Sequence, residues 1–583
     1  YLFQLTSPGF DPLSPENVIT FTPGILAHLP LALGNRVSIT AKSPLTGLII
    51  DSQAGGFWGK ACRDAGYDAL VIQGAAEKPV YIVAGGSGVE IRDAGHLWGL
   101  DTGETHALLE SEIEQKNIQC CLIGPGGENL VRYANISNAL RHFAGRGGLG
   151  AVMGSKKLKA VVAAPDRSVA KAQKPDSNTL EITKNTTRLF NQDNFLSTVM
   201  RPIGTPIAVR MKQDKGWLPA YNFKQGTFSE ADKIDHKAID ASGVQAPSKG
   251  CYACPVRCKR SAHYHQDDVE INKKFGGAEY ESLINLGPLL GEGDLVAIQK
   301  ANELCSRNTL DTISCGAVLA WAYDCYQQGI LTQEDTGGLE LEFGDSTLTL
   351  KLIDLIVHRK GFGDLLAEGV RRAADQIGER AANYAAHTKG LEWPAVDPRF
   401  EPLQMLAYAV SPIGADHMTM GGPHIGPEFT QFAPEKEDLT LPDEVVRAYY
   451  QQRSLGSFID GAGMCQFLIG AVPMDDLRHL IRSALGWSVS IWEMMQLGDR
   501  RTTLMRSFNA REGFKADHDI QPQIAYNEIN DAEGKSYHLN QEDFLTAVEK
   551  YYEISAWDPD TGWPSEGKML ELGLTWLKNH QTN

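Results

Sequence analysis

Short apolar runs separated by glycine-rich turns make up the first 165 residues of the chain. The runs are three or four residues long, and they lie at residues 37–39, 70–72, 80–83, 121–123 and 160–162. Runs rich in β-branched residues and bounded by glycine, such as Gly85-Gly86, are typical of strands and turns. The pattern therefore predicts a mainly β N-terminal domain.

A polar stretch at residues 166–175 predicts a domain boundary, and the periodicity changes beyond it. Apolar residues then recur three or four positions apart, which predicts helices over residues 294–305 and 477–485. A further helix is predicted to begin at Asp364 as N-cap, because six apolar residues share one face: Leu365, Leu366, Val370, Ala373, Ala374 and Ile377. We therefore expect an α+β protein in which a β domain precedes a large helical part.

Length and composition narrow the class of protein. The 583 residues exceed what one core holds, roughly 250–300 residues, so several domains are expected. The net charge of −17, from 72 acidic and 55 basic side chains, repels phosphate backbones and argues against a nucleic-acid partner. No apolar run approaches the ~20 residues of a membrane span. Tyr1 is not a natural start, so we expect the true N-terminus to be missing.

Ten cysteines are present, and three of them stand within eight residues. Clustered thiols beside isolated ones are typical of a reducing compartment, so we expect a cytoplasmic protein with one metal site. Residues 251–258 read CYACPVRC, which places Cys251, Cys254 and Cys258 in a spacing suited to a 4Fe–4S cluster. Zinc is the alternative, but structural zinc usually needs a second paired knuckle, which the sequence lacks.

The fourth cluster ligand must come from elsewhere, and Cys465 is the best candidate. It ends the segment DGAGMC at 460–465, whose glycines allow the backbone to approach a bulky cofactor. The alternative is that Cys465 is a buried cysteine acting as a small hydrophobic residue.

A glycine-rich segment, GRGGLGAVMGSK, occupies residues 145–156. Its exposed backbone N–H groups can cradle a phosphate, and Arg146 and Lys156 add positive charge. The spacing fits neither a Walker A loop nor a dinucleotide-binding fingerprint. The segment predicts a phosphate-bearing cofactor, with a purely structural glycine turn as the alternative.

Together these segments resemble one family, the tungsten-containing aldehyde ferredoxin oxidoreductases. The resemblance runs in order through nearly the whole chain: SPLTGLIIDSQAGGFWG (43–59), GYDALVIQG (66–74), GPGGENLVRYANI (124–136), GRGGLGAVMGSKKLKAV (145–161), the cysteine motif, GAEYES (277–282), LDTIS (310–314), GADHMT (414–419) and DGAGMC (460–465). It implies a β-rich domain at 1–166 and two mainly helical domains. The first, at 167–350, carries the cysteine triplet; the second, at 351–583, carries Cys465.

The resemblance also implies the cofactors. These are a tungsten bound by two pterins, a 4Fe–4S cluster, and Mg²⁺ bridging the pterin phosphates; molybdenum would make the same pterin contacts. Of the family's two pterin motifs, the one at Asp460 is nearly intact, whereas the one at 306–311 reads SRNTLD and keeps only Asp311. The resemblance also assigns Arg36, between cluster and pterin, and Gln53, near Mg²⁺, to cofactor binding. The pterin phosphates are expected along two segments that offer unhindered backbone amides, and these contain Gly55, Gly56, Arg146, Gly147, Gly148 and Gly150.

Glu281 and His417 match the family's acid/base residues. A carboxylate near an apolar pocket can exchange protons near neutral pH, and a histidine can orient or protonate a carbonyl. A salt-bridged helix glutamate and a satisfied core histidine are the structural alternatives. The implied reaction is oxidation of an aldehyde to a carboxylic acid, with electrons leaving through the cluster to ferredoxin or an iron–sulfur subunit.

Two alternatives stay open at this point. Relatives with this fold are catalytic subunits of tungsten benzoyl-CoA reductases, which reduce aromatic acyl-CoA substrates and in which a thiolate such as Cys305 or Cys315 could reach the metal. A non-catalytic scaffold subunit is the other. An oligomer is expected, but not one bridged by iron, because the family's ExxH site is replaced by KANE at 300–303.

Overall fold

The computed structural model describes residues 1–266, 269–419, 441–469 and 471–581. Ten strands in two sheets form its first part: β1 (Ile19–Pro23), β2 (Val37–Lys42), β3 (Ile49–Ala54), β4 (Leu70–Ile72), β5 (Val80–Gly85), β6 (Gly88–Asp93), β7 (Gln119–Leu122), β8 (Ile136–Asn138), β9 (His142–Ala144) and β10 (Leu158–Ala164). All five apolar runs named above lie in or at the end of strands, because β-branched residues pack well on a pleated, buried surface. The predicted β-rich N-terminal part is confirmed.

The two sheets differ in their pairing. The first has four antiparallel strands in the order β3-β2-β1-β4. The second has six strands in the order β6-β5-β10-β7-β8-β9, and within it β10 runs parallel to β5. Five helices accompany the sheets: α1 (Leu2–Leu5), α2 (Trp58–Asp64), α3 (Thr102–Glu112), α4 (Pro125–Glu128) and α5 (Leu149–Ser155).

From residue 166 onward the described chain is mainly helical, which confirms the α+β fold class. The helices are α6 (Arg167–Ala172), α7 (Ser177–Leu189), α8 (Ile207–Lys215), α9 (His236–Ala241), α10 (Tyr280–Asn285), α11 (Leu295–Asn308), α12 (Thr312–Gln327), α13 (Ser346–Val357), α14 (Phe362–Leu366), α15 (Val370–Ile377), α16 (Glu379–Ala382), α17 (Pro402–Val410), α18 (Asp443–Gly461), α19 (Met474–Leu485), α20 (Ile491–Arg511), α21 (Gln541–Ser555) and α22 (Glu566–Glu571).

Four short antiparallel strand pairs interrupt these helices. They are β11 (Gln245–Lys249) with β12 (Lys259–Ala262), β13 (Tyr264–Gln266) with β14 (Val269–Ile271), β15 (His387–Thr388) with β16 (Leu391–Glu392), and β17 (Ile529–Asn530) with β18 (Ser536–Tyr537). Among the helices of the described ranges, none is both long enough and apolar enough to cross a bilayer.

The helices predicted at 294–305 and 477–485 are confirmed as α11, capped by Asp294, and α19. The single helix predicted to begin at Asp364 is wrong, because α14 and α15 are separate and Asp364 lies inside α14. Gly369 adopts a positive φ of 83° between them, and the buried Glu392 carboxylate accepts a hydrogen bond from the N–H of Val370 at 3.0 Å. A tertiary cap thus replaces the continuous helix.

Three large apolar clusters form the core. One joins most of the helices, and one joins the N-terminal sheets to α20 and α22. The third lies beneath the cysteine motif and includes the end of α18 and parts of α19 and α20. Helices α18 and α20 pack closely because Gly498 leaves its side-chain space to the Ser454 carbonyl. Cys465, in the segment after α18, and the three cysteines of the triplet belong to or pack against this third cluster.

Candidate active site

The cysteine triplet lies in the loop that joins strands β11 and β12. Ala253 and Arg257 take positive φ values of 54° and 47°, so the loop turns back on itself between the cysteines. Cys254 is buried and the other two cysteines of the triplet are half-buried. The loop therefore presents three thiols from one short piece of backbone.

Backbone hydrogen bonds bring Cys465 to the same place. Its N–H donates to the Leu33 carbonyl at 2.8 Å, and the N–H of Arg36 donates to the Gly463 carbonyl at 3.1 Å. A side chain on Gly24 would lie 2.6 Å from that same carbonyl, so only glycine permits this approach. The segment after α18 is thereby docked on the turn that precedes β2.

The four thiols share one electrostatic environment and one apolar cluster. Burial raises the pKa of Cys258, and the neighbouring Glu279 and the other three thiols raise it further. Burial likewise raises the pKa of Cys254 to about 11. Such thiols become thiolates only where a cation compensates the charge, and this is what an iron–sulfur cluster provides.

Among the residues that the structure describes, no three His, Cys, Asp or Glu side chains are spaced to hold a single metal ion. A single zinc ion needs its thiolates about 2.3 Å away on all sides, whereas each cysteine of a 4Fe–4S cluster binds a different iron. The four cysteines offer the donor set that a 4Fe–4S cluster uses, which is one thiolate for each iron.

Arg36 links the cysteines to a neighbouring cavity. Its Nη2 lies 3.7 Å from the Cys465 sulfur. Burial opposes the charge of this guanidinium, but Cys465, Cys251 and Asp460 outweigh that cost and raise its pKa. Arg36 also lines the cavity described next, so it stands between the thiols and the cavity.

The first cavity, which we call the His417 cavity, has a volume of about 210 Å³. It is lined by residues from six parts of the chain, including Arg36, Ser52, Gln53, Gly145, Arg146, Asp416, His417 and Asp460. Gln53 donates to the Asp460 carbonyl at 2.7 Å, while its buried Oε1 has no hydrogen-bond partner in the described part of the chain. An unpaired buried carbonyl at a cavity wall fits a bound cation or donor group.

The second cavity, the Glu281 cavity, is also about 210 Å³ in volume and adjoins the first at Gly145, Arg146 and Ile313. Glu281 and Asp311 lie on its wall. A side chain added to Gly145 would meet nothing within 4 Å, so this glycine faces open space. The two adjoining cavities leave room for a group larger than either alone.

The other glycines of the predicted phosphate loop pack against protein. Side chains on Gly147, Gly148 and Gly150 would meet Ile50 and the carbonyls of Arg132 and Asn135. The next turn, Gly55-Gly56, packs on the triplet, and a side chain on Gly55 would lie 2.6 Å from the Cys251 sulfur. Buried Lys156 donates to the carbonyls of Pro15 and Gly74. Of this loop, Gly145 and Arg146 are the residues at the cavities.

Arg146 is held from three sides. Its guanidinium donates to the carbonyls of Ala415 at 2.7 Å and Glu392 at 2.6 Å, and Nε lies 3.3 Å from Asp311 Oδ2. Asp311 is the N-cap of α12, where the N–H of Ile313 donates to its Oδ1 at 3.0 Å. The two predicted cofactor contacts are thus joined to each other.

Glu281 and His417 face each other between the cavities. Glu281 Oε1 lies 3.5 Å from His417 Nε2. Glu281 Oε2 accepts from the N–H of Ala395 at 2.7 Å, which fixes the carboxyl, while Oε1 and His417 Nδ1 are buried without hydrogen bonds in the described chain. Glu279, by contrast, accepts hydrogen bonds from Thr205 and from the N–H of Arg260. The pair fits proton transfer at Oε1.

Cys305 and Cys315 are fully buried and line neither cavity. Contact with Cys315, together with burial, raises the pKa of Cys305 well above its ordinary value. The two sulfurs thus face each other in the helical core.

Sequence reasoning missed His142 and Glu392. His142 is the first residue of β9, and its Nδ1 lies 4.0 Å from the Cys251 sulfur. Burial, followed by the nearby charges of Lys259, Arg141 and Arg36, lowers its pKa to about 3. Glu392 lies on β16 behind Arg146. Neither residue belongs to a local motif, so no sequence signal pointed to them.

Comparison with known proteins agrees with this geometry. The family model for the N-terminal domain of aldehyde ferredoxin oxidoreductase matches residues 1–165, and the model for its domains 2 and 3 matches residues 181–574. The fold and these matches define an oxidoreductase. The chain belongs to the aldehyde ferredoxin oxidoreductase family.

Two relatives and one solved structure show what this chain is similar to. A tungsten-containing aldehyde ferredoxin oxidoreductase of Thermococcus kodakarensis is 35% identical over 581 residues, covering 98% of this chain and 93% of its own. A protein of Pyrococcus furiosus named aliphatic sulfonate oxidoreductase, WOR-like subunit, is 30% identical and covers 97% and 89%. The solved active-site complex of benzoyl coenzyme A reductase with 1,5-dienoyl-CoA has a TM-score of 0.83 at 24% identity, covering 99% and 92%.

Proposed function

We propose that this chain oxidises aldehydes to carboxylic acids at a tungsten centre held by two pterins. The observation that carries the proposal is the Glu281–His417 pair, whose facing atoms lie 3.5 Å apart beside cavities that adjoin the four-cysteine site. Full-length relatives named as tungsten-containing aldehyde ferredoxin oxidoreductases, 34–35% identical, support the same activity.

The residues present fit the cofactors. Cys251, Cys254, Cys258 and Cys465 would hold a 4Fe–4S cluster. Gln53, with its free Oε1, would contact Mg²⁺ at the pterin phosphates, and the pterins would lie along the remaining contacts: Arg36, Gly145, Arg146, Asp311 and Asp460. When bound, the metal supplies the two-electron chemistry, and molybdenum would make the same pterin contacts.

The overall reaction converts one aldehyde and one water into a carboxylic acid, two protons and two electrons. Glu281 Oε1 has no competing hydrogen bond in the described chain, so it is free to take a proton from water or substrate. His417 Nε2 faces that oxygen and can orient the substrate carbonyl or pass the proton on. Ile313 and Ile413 place apolar side chains on the wall of the His417 cavity.

Electrons would leave singly through the cluster to a partner. Arg36 places a positive charge between the cavity and Cys465, which favours the reduced cluster. We propose ferredoxin or an iron–sulfur subunit as the acceptor, and an oligomeric assembly; one relative is itself named as a subunit. A cytoplasmic location is supported by the ten free thiols.

Reduction of an aromatic acyl-CoA is the second candidate, but it rests on a fold match alone. For a reductase of this kind we expect a thiolate ligand to the metal, and Cys305 and Cys315 are the candidates. These two thiols face each other away from both cavities. The geometry therefore favours the aldehyde reaction.

The test is metal analysis combined with a substrate panel. Protein produced with tungstate should contain tungsten and iron, and aldehydes should reduce a viologen dye or ferredoxin while NAD stays oxidised. The matched control is Glu281→Gln protein with unchanged metal content. Any dye reduction that it still shows comes from the bound cofactor itself and not from catalysed aldehyde oxidation. Acyl-CoA turnover without aldehyde turnover would overturn the proposal in favour of the reductase.

A further inference from the structure

One serine hydroxyl lies between two buried carboxyl groups behind the cavities. Ser314 Oγ is 2.8 Å from Asp311 Oδ2 and 2.7 Å from Glu392 Oε2. All three side chains are buried, and Glu392 is completely so. A hydroxyl carries a single proton, so it can donate to only one of the two oxygens. If both carboxyls were ionised, the other short contact would hold two acceptors together without a proton.

A proton on one carboxyl resolves this conflict, because the acid then donates to Ser314 and Ser314 donates to the other carboxylate. Asp311 is the better carboxylate: Arg146 Nε lies 3.3 Å from its Oδ2, and the N–H of Ile313 donates to Oδ1. On Glu392, Oε1 accepts a hydrogen bond from the N–H of Val370, and Oε2 contacts Ser314. Arg146 donates to the main-chain carbonyl of Glu392 rather than to its side-chain carboxyl group.

The other charged or titratable groups around Glu392 do not change the conclusion that Asp311 is the better carboxylate of the two. Arg371 interacts with it only at a distance, and Arg371 donates instead to the carbonyls of Leu45, Thr46 and Lys389. Tyr133 stays protonated, since burial raises its pKa well above the ordinary value. Burial raises the pKa of Glu392, against smaller opposing effects from Ser314, the N–H of Val370 and Arg146. Burial raises the pKa of Asp311 as well, but there Arg146 donates directly to the side-chain oxygen and is the largest opposing influence. The extra proton therefore belongs on Glu392 Oε2.

We propose that Glu392 holds a proton at neutral pH and that Ser314 relays it to Asp311, on the wall of the Glu281 cavity. In the relay the Glu392 Oε2–H bond breaks as Ser314 Oγ takes the proton, and Ser314 passes its own proton to Asp311 Oδ2. The relay leaves Asp311 protonated and Glu392 ionised, and it reverses when the proton returns through Ser314, so the chain neither gains nor loses a proton. This role rests on the proposed function, and Glu392 acts through Asp311 as a positioning residue.

Infrared spectroscopy of the full-length holoenzyme without substrate tests the assignment. Wild type should show the carbonyl band of a protonated carboxylic acid at neutral pH, shifted in D₂O, and Glu392→Gln should lose it. Glu303→Gln is the matched control, because Glu303 is also buried but pairs with Arg307 at 2.7 Å. A band that survives unchanged in Glu392→Gln would overturn the proposal.

Ser314→Ala keeps both carboxyl groups and decides the case if the glutamine variant does not fold. The band should remain but move, because the acid loses its hydrogen-bond partner; an unmoved band contradicts the relay. The pH profile of kcat should also lose one ionisation in Glu392→Gln, and a wild-type profile contradicts the relay. The infrared band is measured without substrate, so it can be present even if the protein does not oxidise aldehydes. The proposed protonation of Glu392 and the proposed aldehyde activity can therefore be disproved independently.

Discussion

The Arg36 guanidinium lies 3.7 Å from the Cys465 sulfur, although the two residues stand 429 positions apart. Their backbones are joined as well, since Arg36 N–H donates to the Gly463 carbonyl and Cys465 N–H to that of Leu33. This contact couples the first sheet to the end of α18, and it places one fixed positive charge beside the predicted cluster.

Arg36→Met should lower the reduction potential of the cluster, because the reduced form loses a neighbouring positive charge. Each 1.4 kcal/mol of lost stabilisation shifts a one-electron couple by about 59 mV. A redox titration followed by electron paramagnetic resonance measures the shift. Arg36→Lys keeps the charge and should move the potential less; equal shifts in both variants would contradict an electrostatic role.

Cys465→Ser should lower the iron content and abolish the spectrum of a 4Fe–4S cluster, because a serine oxygen replaces the fourth thiolate. Iron analysis and electron paramagnetic resonance are the measurements. Cys120→Ala, which changes a buried thiol on β7 far from the motif in sequence, is the control and should retain full iron. Full iron in Cys465→Ser would remove this residue from the ligand set.

Glu281→Gln and His417→Gln should each lower kcat by roughly 10²- to 10⁴-fold, the usual range for a general acid or base. Tungsten and iron contents should stay at the wild-type level, since neither residue is expected to hold a metal. The exposed Glu270→Gln on β14 is the control. Loss of metal in parallel with activity would make the pair structural instead.

Glu392→Gln should change how stability depends on pH. Burial raises the pKa of this carboxyl above its ordinary value of 4.5, so the folded protein binds more protons than the unfolded chain between the two values. Wild-type stability from this group therefore falls as pH rises through that window, and the non-titrating variant escapes the fall. Melting temperatures of both proteins across the range measure the difference; parallel curves would show an unshifted carboxyl.

Gly145→Ala should leave stability near the wild-type level and lower the pterin content, because an added methyl group enters open cavity space. Gly148→Ala is the contrasting variant. Its φ of 80° costs a non-glycine residue roughly 1–2 kcal/mol, and its methyl group would meet the Arg132 carbonyl. Denaturant unfolding and pterin analysis separate the two effects, and equal pterin loss in both would count against a cavity role for Gly145.

The local pattern of the sequence determined much of this protein. The five apolar runs became strands, Asp294 capped α11, and the spacing of Cys251, Cys254 and Cys258 alone indicated a cluster. These features depend on residues within a few positions of each other, where side-chain alternation, capping and loop length act directly. The ordered series of family segments added the Glu281–His417 hypothesis.

Contacts between distant segments decided the rest. Only the tertiary structure showed that Gly145 rather than Gly148 opens to a cavity, and that Glu392 caps α15 where periodicity predicted one helix with α14. It also brought Ser314 between two carboxyls, 78 residues from Glu392 along the chain. Burial sets the protonation of such groups, and burial is a property of packing that no local stretch of sequence contains.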